Sequence, residues 1–212
     1  MKVLFCGYRE WALKIHTSLS LPCVLVSTPE ELKEEVKVNT YDIIFFIGWS
    51  WFVEDHIISS SKCICLHPSP LPKYRGGSPL QNQIINGETI SAITFFVMDE
   101  QLDHGKILWQ EGFSLAGSLP DIFERMVTLG TAGIEFILNH PQYEGYEQEH
   151  ALATTYKRRK PKESEIKLED LCVMTSKELY NKIRCLQDPY PLPFIRCKNG
   201  TTLYITGAQY AE

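Results

Sequence analysis

The sequence predicts an α/β protein: a Rossmann-like, mostly parallel twisted sheet flanked by helices, with a small C-terminal helix and β-hairpin extension. Three observations predict it. Short apolar runs alternate with amphipathic stretches through the first half, the pattern of consecutive βαβ units. One run, DIIFFI at 42–47, is apolar without alternation after its first residue, as a strand buried on both faces requires. The length of 212 residues, 44% apolar and 22% charged, suffices for one core of that kind plus an appendage.

Each element has a local reason. Residues 3–6 (VLFC) read as a strand ending at Gly7, followed by a helix over 11–19 and a second strand over 23–26. Thr28-Pro29-Glu30-Glu31 opens a second helix, with a capping threonine, proline in the first turn and glutamate at the capping-box position. Residues 42–47 and 62–67 are the third and fourth strands, and Ser78-Pro79 reads as the cap and first position of another helix. Residues 90–99 and 106–113 are rich in β-branched and aromatic side chains and read as two more strands. Ile122, Met126, Leu129, Ile134 and Ile137 recur at helical spacing, predicting a long helix over 119–138.

Near residue 150 the character changes. We divide the chain there into an α/β domain, 1–150, and a linker with a small C-terminal subdomain, 151–212. The latter holds the basic run YKRRKPK, a capped helix over 175–186, prolines at 189, 191 and 193, and a hairpin over 194–205 turning at Asn199-Gly200.

Composition narrows the function. Lysine and arginine number 21 against 26 acids, a net charge of −5, which argues against a protein that grips nucleic acid through its phosphates. The seven cysteines form no C-x-x-C pair and read as reduced, mostly buried thiols, with no disulfide frame and no metal site. The longest uncharged apolar stretch, 43–53, is roughly half of the ~20 residues a membrane span needs. Tyr8-Arg9-Glu10 interrupts any signal-peptide core, so the expected location is cytoplasmic. Gly7 is not part of a G-x-G-x-x-G pattern, which argues against a dinucleotide.

Function in parallel sheets collects at the carboxyl ends of strands. That rule selects Trp49, Trp51, Phe52 and Val53 after the third strand, and His67 at the end of the fourth. The loop HPSPLPKYRGGS is stiffened by proline and opened by glycine, a suitable wall for a substrate. The helix amino terminus at Ser78 would favour an anionic group beside it. Asp103 lies in an L-D-H-G turn after a predicted strand, so two strand ends are expected to bring an imidazole and a carboxylate together for acid–base chemistry on a carbonyl.

Residues 65–105 resemble the signature of the folate-dependent formyltransferases. The family pattern Asn-x-His-Pro-Ser-x-Leu-Pro-x-Tyr-Arg-Gly is matched by His67, Pro68, Ser69, Leu71, Pro72, Tyr74, Arg75 and Gly76. Met-Asp-x-x-Leu-Asp-x-Gly is matched by Met98, Asp99, Leu102, Asp103 and Gly105, with a His-to-Asp separation of 103 − 67 = 36. The resemblance implies that residues 1–150 are the catalytic domain and that N10-formyltetrahydrofolate is the co-substrate. It implies His67 and Asp103 as catalytic, with Cys65 in the position of the family's asparagine. A thiol is a weak donor to an oxygen gaining charge. Three readings follow: an active enzyme relying on His67 and a backbone amide, a slow or inactive one, or a Cys65 thiolate paired with His67 for covalent catalysis.

The tail, with Arg158-Arg159 before proline and a later Asp-Pro-x-Pro, resembles that of enzymes formylating amino sugars on nucleotide carriers. The expected reaction is transfer of formyl to a dTDP- or UDP-linked amino-deoxysugar, as in surface-glycan synthesis. A tRNA acceptor is disfavoured by net charge and by the short stretch after Asp188-Pro189. The competing readings are another amine formyltransferase, a formyltetrahydrofolate hydrolase, and a non-catalytic binder of folate or nucleotide sugar. Trp49, Trp51, Phe52, Val53, Met98 and Asp99 are the expected folate contacts. Ser69, Tyr74, Arg75, Gly76, Gly77, Ser78, Gln81, Arg158 and Arg159 are the expected acceptor contacts, Arg75 and the two linker arginines facing a diphosphate. The closing hairpin could supply a homodimer contact.

Overall fold

A computed structural model of the chain describes residues 1–211. Six strands form the central sheet: β1 (Val3–Cys6), β2 (Val24–Val26), β3 (Ile43–Ile47), β4 (Lys62–His67), β6 (Ile90–Val97) and β7 (Ile107–Ser114). Their spatial order is β2-β1-β3-β4-β6-β7. The β1–β2, β1–β3 and β3–β4 pairs are parallel, whereas β6 runs antiparallel to both β4 and β7. Five of the six strands therefore point one way, and the mostly parallel sheet expected from sequence is what the chain forms.

The two faces separate by residue parity, as pleating demands. Phe5, Phe45, Ile64, Leu66 and Phe95 pack against Trp11, Ala12 and Ile15 of α1 (Glu10–Ser18) and Ile122, Met126 and Ile134 of α5 (Leu119–Asn139). Leu4, Cys6, Ile44, Phe46 and Cys63 face Leu32 of α2 (Pro29–Val38) and Ile57 of α3 (Asp55–Ser60). Cys63, Cys65 and His67 share this second face, and Cys65 is paired with Phe46 on one side and Phe96 on the other. That register is what aims the Cys65 and His67 side chains into one cleft.

The helix starts at Thr28 and Thr175 have the bonds their residues promised, and α5 has a cap that was not read from sequence. Thr28 accepts from the Glu31 backbone N–H, and Ser118 with Asp121 forms a reciprocal capping box on α5. Thr175 and Glu178 do the same for α7 (Ser176–Arg184). The final hairpin pairs β9 (Phe194–Arg196) with β10 (Thr202–Tyr204), with Gly200 at φ 81 in its turn.

Three features differ from expectation. The helix α3 occupies a stretch to which no element was assigned, and α6 (Leu168–Val173) precedes α7. A two-residue parallel pair, β5 (Arg75–Gly76) with β8 (Thr155–Tyr156), ties the segment after residue 150 to the loop after β4. The helix α4 (Pro79–Ile85) begins where expected, but Ser78 adopts a left-handed φ of 52 and does not cap it. Its Oγ accepts instead from the Arg159 backbone N–H at 3.1 Å. The α4 start, Ser78-Pro79, nevertheless lies in the lining of the cleft described below.

Candidate active site

The cleft at the carboxyl end of β3 and β4 has a volume of about 970 Å³. Its lining includes Trp49, Trp51, Phe52, Val53, Cys65, His67, Met98, Asp99, Asp103, Gly76, Gly77, Ser78, Gln81, Arg158 and Arg159. Most residues singled out by sequence are thus brought to one cavity, though their roles differ.

His67 is 6% exposed. Its Nε2 lies 2.8 Å from the Tyr74 carbonyl oxygen. A carbonyl only accepts, so the Nε2 proton is committed there and Nδ1 is the nitrogen free for chemistry. Nδ1 lies 3.5 Å from Oδ2 of Asp103, which also accepts from the Gly76 backbone N–H at 2.7 Å. Nδ1 therefore faces the carboxylate at a distance that makes an ion pair when the ring carries a second proton.

The route by which Asp103 arrives corrects our strand-end argument. Because β6 is antiparallel to β4, Val97 lies beside Ile64 and the Met98 N–H donates to the Cys63 carbonyl, away from the His67 end. The segment 98–105 must fold back along the sheet face to deliver Asp103. Gly105 makes the fold-back feasible: a Cβ there would lie 1.8 Å from the Val97 carbonyl oxygen. No side chain could occupy that position without moving the backbone.

Cys65 lines the same cleft two residues before His67. Burial, with the Asp103 charge adding to it, pushes its thiol well above the ordinary cysteine range. The position favours the neutral thiol, which weighs against the covalent reading because that reading needs a thiolate. At about pH 8, iodoacetamide should therefore label Cys65 at least about tenfold more slowly than the exposed Cys172 and Cys197. Peptide mapping of a labelling time course measures this, and equal rates would contradict it.

Three expected acceptor contacts lie outside the cleft lining. Ser69 is fully buried, and its Oγ donates to the Lys73 carbonyl, bracing the proline-rich loop. The Tyr74 ring stacks on Tyr156 at 4.9 Å, and its hydroxyl donates to Glu88, so only its backbone carbonyl reaches the site. Arg75 is 8% exposed, and its guanidinium binds Gln148 and His150 rather than facing a diphosphate. Gly76 and Gly77 serve mainly to let two chains touch: a Cβ at either would meet the backbone of Tyr156 or Arg158 at 2.3 Å.

The aromatic side of the cleft is a contiguous group. Trp49 packs edge-on against Phe46 and Trp51, with centroid separations of 5.9 and 4.9 Å, and Trp51 lies 4.5 Å from Tyr8. Val53 is buried beneath, while Phe52 is 84% exposed at the rim. The buried indole Nε1 of Trp49 has no hydrogen-bond partner among the described residues. An apolar slot with an unused donor suits a flat heterocycle carrying acceptors.

The cationic side is supplied by Arg9, Lys157, Arg158, Arg159 and Lys160. Arg158 donates to the Ser50 carbonyl at 3.2 Å, strapping the linker across to the Trp49–Trp51 loop. The Arg159 Nε and the Gln81 Nε2 are both buried without partners among the described residues, and the Tyr190 phenol lies beside the Gln81 amide. Arg9 and Tyr190 were missed from sequence. The strand-end rule could have found Arg9, which follows Gly7 after β1, but nothing marks Tyr190. Among the described residues no group of three or more His, Cys, Asp or Glu is placed to hold a metal ion. No helix among them is long and apolar enough to cross a membrane.

Residues 26–117, which carry β3, β4, His67 and Asp103, match the family model described as formyl transferase. The chain therefore carries a formyl transferase domain and is similar to the folate-dependent formyltransferases. It is 31% identical over 182 residues to a methionyl-tRNA formyltransferase of Campylobacter lari, a match that covers 82% of this chain and 57% of that protein's length. Among solved structures it superposes on a methionyl-tRNA formyltransferase from Clostridium thermocellum with a TM-score of 0.83, 27% identity and 97% coverage of both chains. It shares its fold, at TM-score 0.76 and 18% identity, with a likely sugar N-formyltransferase from Mycobacterium tuberculosis, covering 100% of this chain and 98% of that one.

Proposed function

We propose that the chain transfers a formyl group from N10-formyltetrahydrofolate to the amino group of a nucleotide-linked amino sugar. The observation that carries this reading is the His67–Asp103 pair on the floor of a cleft whose walls combine an aromatic slot with unpartnered, donor-only groups. The family's co-substrate supplies an activated one-carbon unit. The residues of this chain supply orientation and proton management.

Trp49, Val53 and Met98 offer a flat apolar surface, and the Trp49 indole offers one hydrogen bond. With Nε2–H held by Tyr74, His67 acts as the imidazolium, presenting Nδ1–H to an oxygen that gains negative charge and then giving that proton to the departing nitrogen. Asp103 accepts the proton that the incoming amine loses and returns it to the emptied Nδ1, restoring the imidazolium. Arg159, Gln81 and Arg9 supply donors and positive charge on the side where a diphosphate would lie, a task suited to arginine's planar fork.

A second reading, with methionyl-tRNA as acceptor, is favoured by the similarity to the methionyl-tRNA formyltransferases of Campylobacter lari and Clostridium thermocellum. A panel with isotope-labelled formyl donor separates the two. Label should enter a UDP- or dTDP-linked amino sugar and should not enter methionyl-tRNA. Label in the tRNA alone transfers the assignment to the second reading, and release without any acceptor assigns a hydrolase.

A further inference from the structure

The turn that carries Asp103 is bonded by a residue outside every motif read from sequence. Gln148 is 4% exposed and sits in the irregular stretch between α5 and a short helical turn at His150–Leu152. Its Nε2 donates to the carbonyls of Asp103 and Gly105, at 3.0 and 2.8 Å. Its Oε1 accepts from Nε and Nη2 of Arg75, at 3.2 and 2.6 Å. Both amide protons and the acceptor oxygen are therefore used.

The Arg75 guanidinium also decides which way this amide points. A guanidinium can only donate, so Oε1 must face it, and the NH2 group is left facing the two carbonyls. The first of those carbonyls belongs to a residue in an uncommon conformation. Asp103 has φ 51, in the left-handed region that aspartate tolerates better than most side chains but still at a cost. The clamp continues outward: Arg75 Nη2 donates to His150 Nδ1 at 2.9 Å, and the His150 ring stacks on His104 at 4.0 Å. His104 in turn meets Asp99 Oδ2 at 2.9 Å.

We propose that Gln148, oriented by Arg75, is a positioning residue that holds Asp103 in line with His67. The proposal rests on the functional reading above, and it reassigns Arg75 from ligand binding to the support of the catalytic loop. Gln148 touches neither His67 nor the carboxylate of Asp103, so it acts through the backbone of the turn.

The test uses the full chain, labelled formyl donor and the acceptor found by the panel, with Gln148→Glu and Gln148→Asn compared with wild type. Glutamate keeps an acceptor for Arg75, so the buried guanidinium stays paired, but its carboxylate cannot donate to the two carbonyls. Asparagine keeps the amide and withdraws it by one methylene. For Gln148→Glu we expect kcat to fall about 10²-fold with KM for both substrates within about threefold of wild type, the signature of a misplaced group rather than lost binding. For Gln148→Asn we expect a smaller loss, about tenfold, of the same kind, which keeps the proposal testable should the glutamate variant not fold. Wild type inactive with every acceptor defeats the functional reading itself. Wild type active, with either folded variant retaining kcat within about threefold or losing activity through KM alone, overturns the role of Gln148.

Discussion

Asp103→Asn is expected to lower turnover about 10³-fold while leaving the melting temperature and the binding of the formyl donor nearly unchanged. The asparagine carbonyl can still accept the Gly76 N–H that Asp103 Oδ2 now holds at 2.7 Å, and the side chain keeps its shape against His67. What is lost is charge and basicity. The amide cannot take the proton that an attacking amine sheds, nor can it pair with a protonated Nδ1. His67→Asn should be comparably slow, but it also strands the Tyr74 carbonyl that Nε2 now satisfies, so a loss of stability of about 1–3 kcal/mol should accompany it. Steady-state rates beside thermal denaturation separate the two effects. Turnover of Asp103→Asn near wild type would remove the proton-accepting role assigned to the carboxylate.

Cys65→Asn is expected to raise turnover by about 10- to 10²-fold, the opposite direction from most substitutions beside a catalytic pair. The thiol at Cys65 is a poor hydrogen-bond donor, and its elevated pKa keeps it from acting as an anion. It shares a face with His67, so an amide there would add a strong donor toward the same oxygen. Phe96 and Met98 flank the position and must yield slightly to the larger side chain. A rise in kcat with an unchanged pH profile is the supporting outcome. Lost activity in a folded variant would assign the thiol a specific role of its own.

The elements legible in the sequence were those whose signal is local. The runs at 3–6 and 43–47 are strands because every residue in them is apolar enough to be buried on either face, the run at 62–67 has an apolar centre between Lys62 and His67, and the long helix has its apolar residues on one stripe. The β5–β8 pair was not legible. Two-residue strands have no periodicity, and residues 75–76 and 155–156 come together only because Gly76 and Gly77 permit backbone contact.

For the site, the pattern around His67 and Asp103 picked out two side chains that the structure brings together, while the geometric reason offered for it was incorrect. The antiparallel direction of β6 has no marker in a strand's own residues, so the fold-back through Gly105 could not be foreseen. Arg75 shows the same limit from the other side. An arginine beside two glycines reads equally well as a ligand contact or a buried clamp, and only the position of Gln148, 73 residues away, decides between them. Gln148 itself lies in a stretch with no pattern at all.

The central claim is that His67 and Asp103 act as one proton-sharing unit on a formyl group. A double-mutant cycle over wild type, His67→Asn, Asp103→Asn and the combined variant, read as single-turnover transfer of labelled formyl, tests it most directly. Residues that act as a unit lose their effect together, so the combined variant should be no more than about threefold slower than the slower single variant. Losses that multiply across the two sites would show that imidazole and carboxylate work independently, and would contradict the account.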